Sequence, residues 1–305
     1  MNKIRLGEDV NKNSSIKFYD IFVKYIEYAQ NNKKSWQQDK NAFEIHYKQY
    51  RNYDLRQLTP QIFEKIKQQK IKDGYKMRTV QYILGLARQI LNFAIQNDLI
   101  TNYINPISKG KFKIPKVYNE KIGYLTKEQA NKLLNILSKR VSHPLIYRLT
   151  VLLLHTGARF SEVASLTWND IDFQNRLIYF KPTKNGNARK VYISDLALEI
   201  LNTLLNEKSN ELIISSSIGT QLIQMPKQWQ LIVDGLIPNN ETADKYRITT
   251  HSLKHTHASW MAMSGISIMH IQEQLGHKKL EMTMRYSHLM PSQRHENTKA
   301  IFNQS

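Results

Sequence analysis

The segment HSLKHT, residues 251–256, places two histidines and a lysine where they can act together. If the segment is helical, His251, Lys254 and His255 share one face, because positions three and four residues apart stack on successive turns. Such a face can bind a metal ion, hold a phosphate, or form a polar part of the core. These residues alone do not decide among the three.

A second cluster lies in TGARFSE, residues 156–162, where Arg159 enters a predicted helix and Glu162 follows three residues later. An arginine near a helix N-terminus can present its guanidinium fork to a phosphate, assisted by free backbone amides. The alternative is a surface ion pair between the two side chains, which contributes little to stability. Taken alone, the segment favours the ion pair.

A third candidate is Tyr286, in LGHKKLEMTMRYSHL, residues 275–289, which also contains His277. A tyrosine hydroxyl has a pKa near 10, so it needs cationic and hydrogen-bonding neighbours to act as a nucleophile. One tyrosine among 16 is more often part of a core or an interface.

The composition favours a polyanionic partner. Lys and Arg number 44 against 25 Asp and Glu, which gives a formal net charge of +19. Nucleic acid is the first such partner and an anionic membrane surface is the second. A Lys- and Asn-rich coding bias is the alternative, but it does not explain the shortage of acidic residues.

Several classes of protein are excluded or disfavoured. The chain has no cysteine, so disulfides, thiolate metal sites and thiol nucleophiles are excluded. No run approaches 18 apolar residues and the N-terminus lacks the apolar core of a signal peptide, so no membrane association is expected. The protein is expected to be soluble and cytoplasmic.

Helical periodicity in residues 16–104 predicts a small helical domain. Its four helices are expected at about 16–29, 35–50, 58–70 and 77–97. Residues 1–15 are polar and are expected to be flexible. Two prolines, a glycine and four lysines between 105 and 117 predict a basic linker over 105–122.

Residues 123–305 predict a second domain, mostly helical with a small antiparallel sheet. Thr126 and Gln129 have the spacing of a capping box at its first helix. The dipeptide Asn185–Gly186 predicts a hairpin turn between RLIYF and RKVYI. Further helices are expected at about 144–156, 195–208, 222–236, 268–275 and 279–287.

The ordered set of motifs resembles the tyrosine site-specific recombinases, the phage integrase family. TGARFSE, a hairpin lysine, HSLKHT and the LGH segment with its later tyrosine follow the order of that family's motifs. Each motif is weak alone, but the ordered set is highly specific. The resemblance implies a mainly α fold with a small antiparallel β-sheet in two domains. These are an N-terminal four-helix core-binding domain, 16–104, and a C-terminal catalytic domain, 123–305.

The resemblance implies a nucleophile and a phosphate clamp. Tyr286 would attack a DNA phosphodiester and become linked to the 3′-phosphate, releasing a 5′-hydroxyl. Arg159 and Lys254 would hold the non-bridging oxygens, where negative charge grows in the transition state. No metal and no cofactor are implied, because side chains supply the positive charge.

The remaining roles are also implied by the resemblance. His251 and His277 would donate hydrogen bonds or shuttle the tyrosine's proton. Lys184, on the hairpin, would protonate the leaving 5′-oxygen, and Lys181 is a less favoured candidate for that role. Glu162 would orient the arginine and the histidines. His255 and His257 are expected to be structural or bonded to the backbone.

One position departs from the family's pattern and keeps two rivals open. The family usually has arginine where this chain has Lys254, and lysine lacks the planar fork of a guanidinium. The first rival is a DNA-binding protein of the same fold with weak or lost cleavage activity. The second is a relaxing topoisomerase that uses the same phosphotyrosine chemistry.

The expected partners follow from the resemblance. They are double-stranded DNA and a homotetramer on paired DNA sites, with host DNA-bending proteins or an excision factor as candidate accessories. The residues after Tyr286 would form a final helix that docks on a neighbouring subunit. Since fifteen residues precede the first predicted helix, no arm-site-binding domain like that of the larger integrases is expected.

Overall fold

A computed structural model describes residues 15–108, 112–115, 123–140, 143–183, 187–208, 210–237 and 246–291. The chain divides between Asn119 and Glu120 into two compact units. Each unit has its own apolar core. No helix among these described ranges is long and apolar enough to cross a membrane.

The first unit contains four α-helices in its described part. They are α1 (Phe18–Asn32), α2 (Trp36–His46), α3 (Pro60–Lys72) and α4 (Met77–Gln96). The longest, α4, buries residues at spacings of three and four along its whole length, the pattern of a helix with one face in a core. Val80, Ile83, Ala87 and Ile90 are at most 1% exposed. Burial of this stripe against the other helices holds the unit together.

The start of the predicted linker over 105–122 packs with the first unit. Asn105 is buried and donates from Nδ2 to Oδ1 of Asn92 at 2.7 Å. Ile107 is also buried, and Phe112 packs against the same core. These residues lie among basic ones, so the composition of the segment predicted a linker. In the structure, its first apolar side chains pack against the core of the first unit.

The second unit contains eight further α-helices in its described part. They are α5 (Lys127–Ser138), α6 (Pro144–Thr156), α7 (Phe160–Ala164), α8 (Asp195–Asn206), α9 (Lys227–Leu236), α10 (Thr250–Met263), α11 (Ile268–Leu275) and α12 (Glu281–Met284). The predicted capping box at α5 is confirmed, because the N–H of Gln129 donates to Thr126 Oγ1 and the Thr126 N–H to Gln129 Oε1. The helix expected at 279–287 is shorter, since α12 ends at Met284 and a 3₁₀ turn follows at Ser287–Leu289.

Three antiparallel strands form one sheet in the order β1 (Ile171–Asp172), β2 (Leu177–Phe180), β3 (Arg189–Tyr192). Ile178 pairs with Val191, and both are buried, as alternation along a half-buried strand requires. The strands of the predicted hairpin are therefore confirmed. The Asn185–Gly186 turn lies outside the described residues.

The core of the second unit centres on α6, which packs against α5, α8 and α10. Leu149, Val151 and Leu152 on α6 are fully buried. A helix that is apolar around most of its circumference requires neighbours on several sides. The expected class, mainly helical with a small antiparallel sheet, is confirmed. Because α6 and α10 are adjacent, the motifs that end α6 and begin α10 lie close together.

Candidate active site

Arg159 is positioned by the turn that ends α6. Gly157 adopts a left-handed conformation with φ of 63°, and a Cβ there would lie 2.7 Å from Cδ2 of His257, so the turn requires glycine. The backbone N–H of Arg159 donates to Glu162 Oε2 at 2.7 Å, and its Nη1 donates to Oε1 at 3.1 Å. Glu162 therefore holds both the backbone and the side chain of Arg159 at the start of α7.

Glu162 is buried and also binds a second arginine. Arg189 donates through Nη1 and Nη2 to the two carboxylate oxygens of Glu162, at 3.1 and 2.9 Å. Burial by itself would raise the pKa of Glu162, but Arg189, the backbone N–H of Arg159 and the charge of Lys254 together outweigh it, so this pKa is lowered. The carboxylate stays ionised between two guanidinium groups.

Arg189 is a residue that the sequence reasoning missed. It begins β3, donates from Nε to the carbonyl oxygen of Gln274 at 2.9 Å, and covers the ring of Phe180 at 4.5 Å from the centroid. It ties the hairpin to α7 and to the end of α11. The sequence does contain a signal that could have found it. Side chains alternate between the two faces of a strand, and Arg189 lies two and four residues before the inward-facing Val191 and Ile193, so it shares their face.

Lys254 lies on α10 with only 2% of its surface exposed. Its Nζ donates to the carbonyl oxygens of Gly157 at 3.0 Å and Leu275 at 2.7 Å. These carbonyls stand at the ends of α6 and α11, so Lys254 joins the two helix ends. Burial, and then the charges of Arg159 and Arg189, lower the pKa of Lys254 to about 7. An ammonium group has three N–H donors, so one beyond these two bonds can serve a phosphate.

His277 follows the left-handed Gly276 that ends α11. The ring is buried, and its Nδ1 lies 2.9 Å from the hydroxyl of Thr283 on α12. Burial and the positive charges of Lys254 and Arg159 lower the pKa of His277 to about 3. The ring is therefore neutral at neutral pH, with Nε2 as the nitrogen not bonded to Thr283.

Tyr286 is 4% exposed and packs with small and apolar side chains of α10 and α11, including Ala258 and Leu275. Its hydroxyl lies 2.6 Å from Nδ1 of His255. Burial raises the pKa of Tyr286 to about 12, and the charge of Arg285 opposes that rise. In this state the hydroxyl is protonated and bonded to an imidazole.

The remaining histidines of α10 have different surroundings. His251 is exposed, and its ring meets that of His255 edge to face, with centroids 4.8 Å apart. Desolvation and the charge of Lys254 lower the pKa of His251. His257 Nδ1 lies 2.9 Å from the carbonyl oxygen of Leu154, the backbone bond expected for it. For His255, which was expected to be structural or bonded to the backbone, Nδ1 lies 2.6 Å from the side-chain hydroxyl of Tyr286.

The hairpin lysines are only partly visible. Lys184, the predicted proton donor, lies outside the described residues. Lys181 follows β2, is 71% exposed and forms an ion pair with Asp170 at 3.0 Å. This pairing draws Lys181 toward the turn before β1.

Four of the predicted residues, Arg159, His251, Lys254 and His277, cluster around the ends of α6 and α11. Lys254 bonds the carbonyl oxygens of Gly157 and Leu275, each two residues before Arg159 and His277, and His251 lies about one turn before Lys254 on α10. Glu162 is the buried carboxylate that holds Arg159. Such an arrangement can accept a phosphate, whose charge it would neutralise. In the described ranges, no group of three or more acidic or histidine side chains could hold a metal ion.

Comparison with known proteins agrees with this geometry. The model of the phage integrase family matches residues 123–293. The chain belongs to the phage integrase family. The predicted resemblance is therefore confirmed, and the matched region contains each candidate residue discussed above.

Named relatives are tyrosine recombinases and integrases. Tyrosine recombinase XerA of Saccharolobus solfataricus is 32% identical over 196 residues, which cover 63% of this chain and 61% of XerA. The integrase of Salmonella phage P22 is 26% identical over 196 residues, 62% of this chain and 49% of the phage protein. The matches thus span about half to three fifths of these two relatives.

A solved structure shares the fold. The Tn1549 transposon integrase, in complex with a circular intermediate DNA, superposes with a TM-score of 0.74 at 18% identity. The superposition covers 95% of this chain and 100% of that one. At this identity the likeness concerns the fold.

Proposed function

We propose that this integrase family member is a site-specific DNA recombinase that cuts and rejoins strands through a 3′-phosphotyrosine intermediate. The observation that carries the proposal is the cluster of Arg159, Lys254, His251 and His277 in the same unit as the buried hydroxyl of Tyr286. A cluster of this kind stabilises the charge of a pentacoordinate phosphorane. A tyrosine supplies the nucleophile, and the phosphotyrosine bond that it forms conserves the energy of the broken phosphodiester bond.

The reaction needs no external energy source. The phenolic oxygen of Tyr286 attacks the scissile phosphorus, and the P–O5′ bond breaks as the leaving oxygen takes a proton from Lys184. Arg159 and Lys254 bind the non-bridging oxygens, and Glu162 holds Arg159 in place. The 5′-hydroxyl of a partner strand then attacks the phosphotyrosine and reverses the step.

The first unit serves DNA binding in this proposal, as the core-binding domain over 16–104. Its partner is double-stranded DNA, and four subunits assemble on two paired sites for a full exchange. Relatives from a phage and a transposon support a role in integrating or excising a mobile element, with host DNA-bending proteins or an excision factor as accessories. We assign its action to the cytoplasm.

Lys254 is the observation that favours a second candidate, a DNA-binding protein of this fold with lost cleavage. Two of its N–H donors are used by backbone carbonyls, and a guanidinium fork is absent. The other candidate residues argue against this reading, because a protein that only binds DNA needs no buried nucleophile.

Two assays test the proposal. The protein is incubated with a duplex site selected from a random-sequence pool and nicked so that the cut fragment diffuses away. A covalent protein–DNA adduct is expected, and binding without an adduct would favour the non-cleaving candidate. A plasmid with two copies of the site should then yield reciprocal exchange. Relaxation of supercoils without exchange would identify a topoisomerase.

A further inference from the structure

The hydroxyl of the proposed nucleophile has a partner that the family motif does not assign. Tyr286 Oη lies 2.6 Å from Nδ1 of His255, and both residues are buried. The other buried candidate, His277, has its Nδ1 bonded to Thr283, and His251 meets His255 through an edge-to-face ring contact. Among these histidines, His255 is the one in hydrogen-bond contact with the reacting oxygen.

We propose that His255 accepts the proton of Tyr286 when the tyrosine attacks DNA, and returns it when the strands are rejoined. This inference rests on the proposed recombinase function and names a base for it. A general base must lie within about 2.6–3.2 Å of the oxygen that it deprotonates. His255 meets that condition in the protein without DNA.

The proposed transfer requires a hydroxyl that carries a proton and an imidazole that is neutral. Burial raises the pKa of Tyr286, so its hydroxyl carries a proton at neutral pH. Burial, and then the charge of His251, lower the pKa of His255 to about 3, so its ring is neutral. Between two neutral groups the tautomer sets the direction of the bond, and the proposed transfer requires the hydroxyl to donate and Nδ1 to accept, with the ring hydrogen on Nε2.

The proton balance of the step is complete. During cleavage, the O–H bond of Tyr286 breaks, its proton moves to Nδ1 of His255, and the phenolic oxygen forms a bond to phosphorus. The leaving 5′-oxygen receives a separate proton from Lys184. During rejoining, the 5′-hydroxyl gives its proton to Lys184 and its oxygen forms a bond to phosphorus, while the phenolate leaves phosphorus and recovers the proton from His255.

The same surroundings explain how DNA would activate this base. The groups that lower the pKa of His255, after burial, are His251 and Lys254 on α10, Arg285 beside Tyr286, and His277 after α11. A bound phosphodiester adds negative charge near the cationic side chains of Lys254 and Arg285. Its charge opposes their effect and raises the pKa of His255. The base is therefore weak in the free protein and stronger once DNA is in place.

The test compares two replacements of His255 in single-turnover cleavage at saturating nicked DNA. His255→Asn keeps an amide oxygen near the position of Nδ1, so it can accept the hydrogen bond but cannot take the proton. His255→Ala removes both functions. Both variants should cleave about 10²-fold or more slowly than wild type, the range for loss of a general base. His270→Asn, an exposed position on α11, is the matched control and should cleave at the wild-type rate.

The pH profile separates proton transfer from mere positioning. Without the base, the rate of His255→Asn should rise about tenfold per pH unit above neutrality, because ionised tyrosine must then react. The wild-type rate should level off. The proposal would be overturned if His255→Asn cleaved at the wild-type rate with the wild-type pH profile. A hydrogen bond to Tyr286 would then suffice without proton transfer.

A modified substrate distinguishes the base from the proposed acid. In DNA with sulfur in place of the bridging 5′-oxygen, the leaving thiolate needs no proton, because a thiol pKa is near 8.5. This substrate should restore cleavage by Lys184→Ala but leave His255→Asn slow. Rescue of His255→Asn would move His255 to the leaving-group side and overturn its role as the base of Tyr286.

A measurement on the unaltered protein avoids any folding defect of the variants. The ¹⁵N NMR shifts of His255, assigned through their change in Tyr286→Phe, should show an unprotonated Nδ1 and a protonated Nε2 at neutral pH. A protonated Nδ1 would make the ring the donor and overturn the proposal. If wild type forms no adduct at all, the recombinase function fails; if it forms one and these His255 results fail, only the base is wrong.

Discussion

Arg189 and Glu162 form a buried, two-pronged ion pair that links the β-hairpin to α7. The two N–O distances are 3.1 and 2.9 Å, and the side chains are 4% and 2% exposed. Glu162 also holds Arg159, so one carboxylate lies between two guanidinium groups. The start of β3 and the start of α7 are thereby held together through Glu162.

Glu162→Gln should destabilise the protein strongly. The change leaves Arg189 buried without its counter-charge, and such a loss costs about 3–5 kcal/mol of unfolding free energy. Urea unfolding of the second unit measures it. Glu207→Gln is the matched control, because Arg148 and Glu207 form a similar two-pronged pair with Glu207 53% exposed. The control should change the urea midpoint far less, and equal shifts would contradict the account of Glu162.

DNA binding should take up a proton at Lys254. Its pKa in the free protein is about 7, and a bound phosphate favours the charged form, so the pKa rises in the complex. Above about pH 7, binding is therefore linked to proton uptake, and affinity should fall as pH rises. Below that pH the lysine is already charged in both states and contributes no dependence.

Calorimetry in buffers of different ionisation enthalpy measures this uptake. Lys254→Arg keeps its charge throughout and should reduce the uptake at alkaline pH, whereas Lys132→Arg, exposed on α5, should leave it unchanged. Identical proton uptake in wild type and Lys254→Arg would show that Lys254 does not meet the phosphate.

Much of the fold is predictable from local patterns. The helical stripe of α4, the capping box at Thr126 and the two strands of the hairpin depend on residues close in sequence, so periodicity and turn chemistry suffice. The start of the linker was predicted less well. Ile107 and Phe112 stand among lysines and prolines, and only the tertiary structure shows that a core is within their reach.

The sequence predicts which residues belong to the candidate site but not which contacts they make. The ordered motifs identified the family and the residues of the cluster. They could not show that Lys254 binds two carbonyl groups or that His255 meets the Tyr286 hydroxyl. Those contacts join α10 to residues 21 to 97 positions away in sequence, so they depend on how the helices pack.

Binding to DNA should weaken steeply with salt. The formal charge of +19 supplies lysines and arginines that displace counterions from phosphates, and each such contact adds about one unit to the slope of log K against log salt. Titrations at several salt concentrations measure the slope. If the affinity did not change with salt, the excess of lysines and arginines would reflect coding bias and would not contact DNA.

Cleavage should continue in excess chelator. The proposed positive charges at the phosphate belong to Arg159, Lys184 and Lys254, so no divalent cation is needed to stabilise the transition state. Adduct formation with and without EDTA measures this. Loss of the adduct, restored by a divalent ion, would instead support a metal site among the histidines of α10.

The most direct measurement maps the residue that becomes linked to DNA. The trapped adduct is digested, and the phosphorylated peptide is sequenced by mass spectrometry. In the wild type, DNA should be attached at Tyr286. Tyr286→Phe should form no adduct at nearly unchanged DNA affinity, because only the hydroxyl is lost. The exposed tyrosines at 192 and 246 provide matched Phe controls, which should still form it. An adduct that persists in Tyr286→Phe, or maps to another tyrosine, would contradict the account.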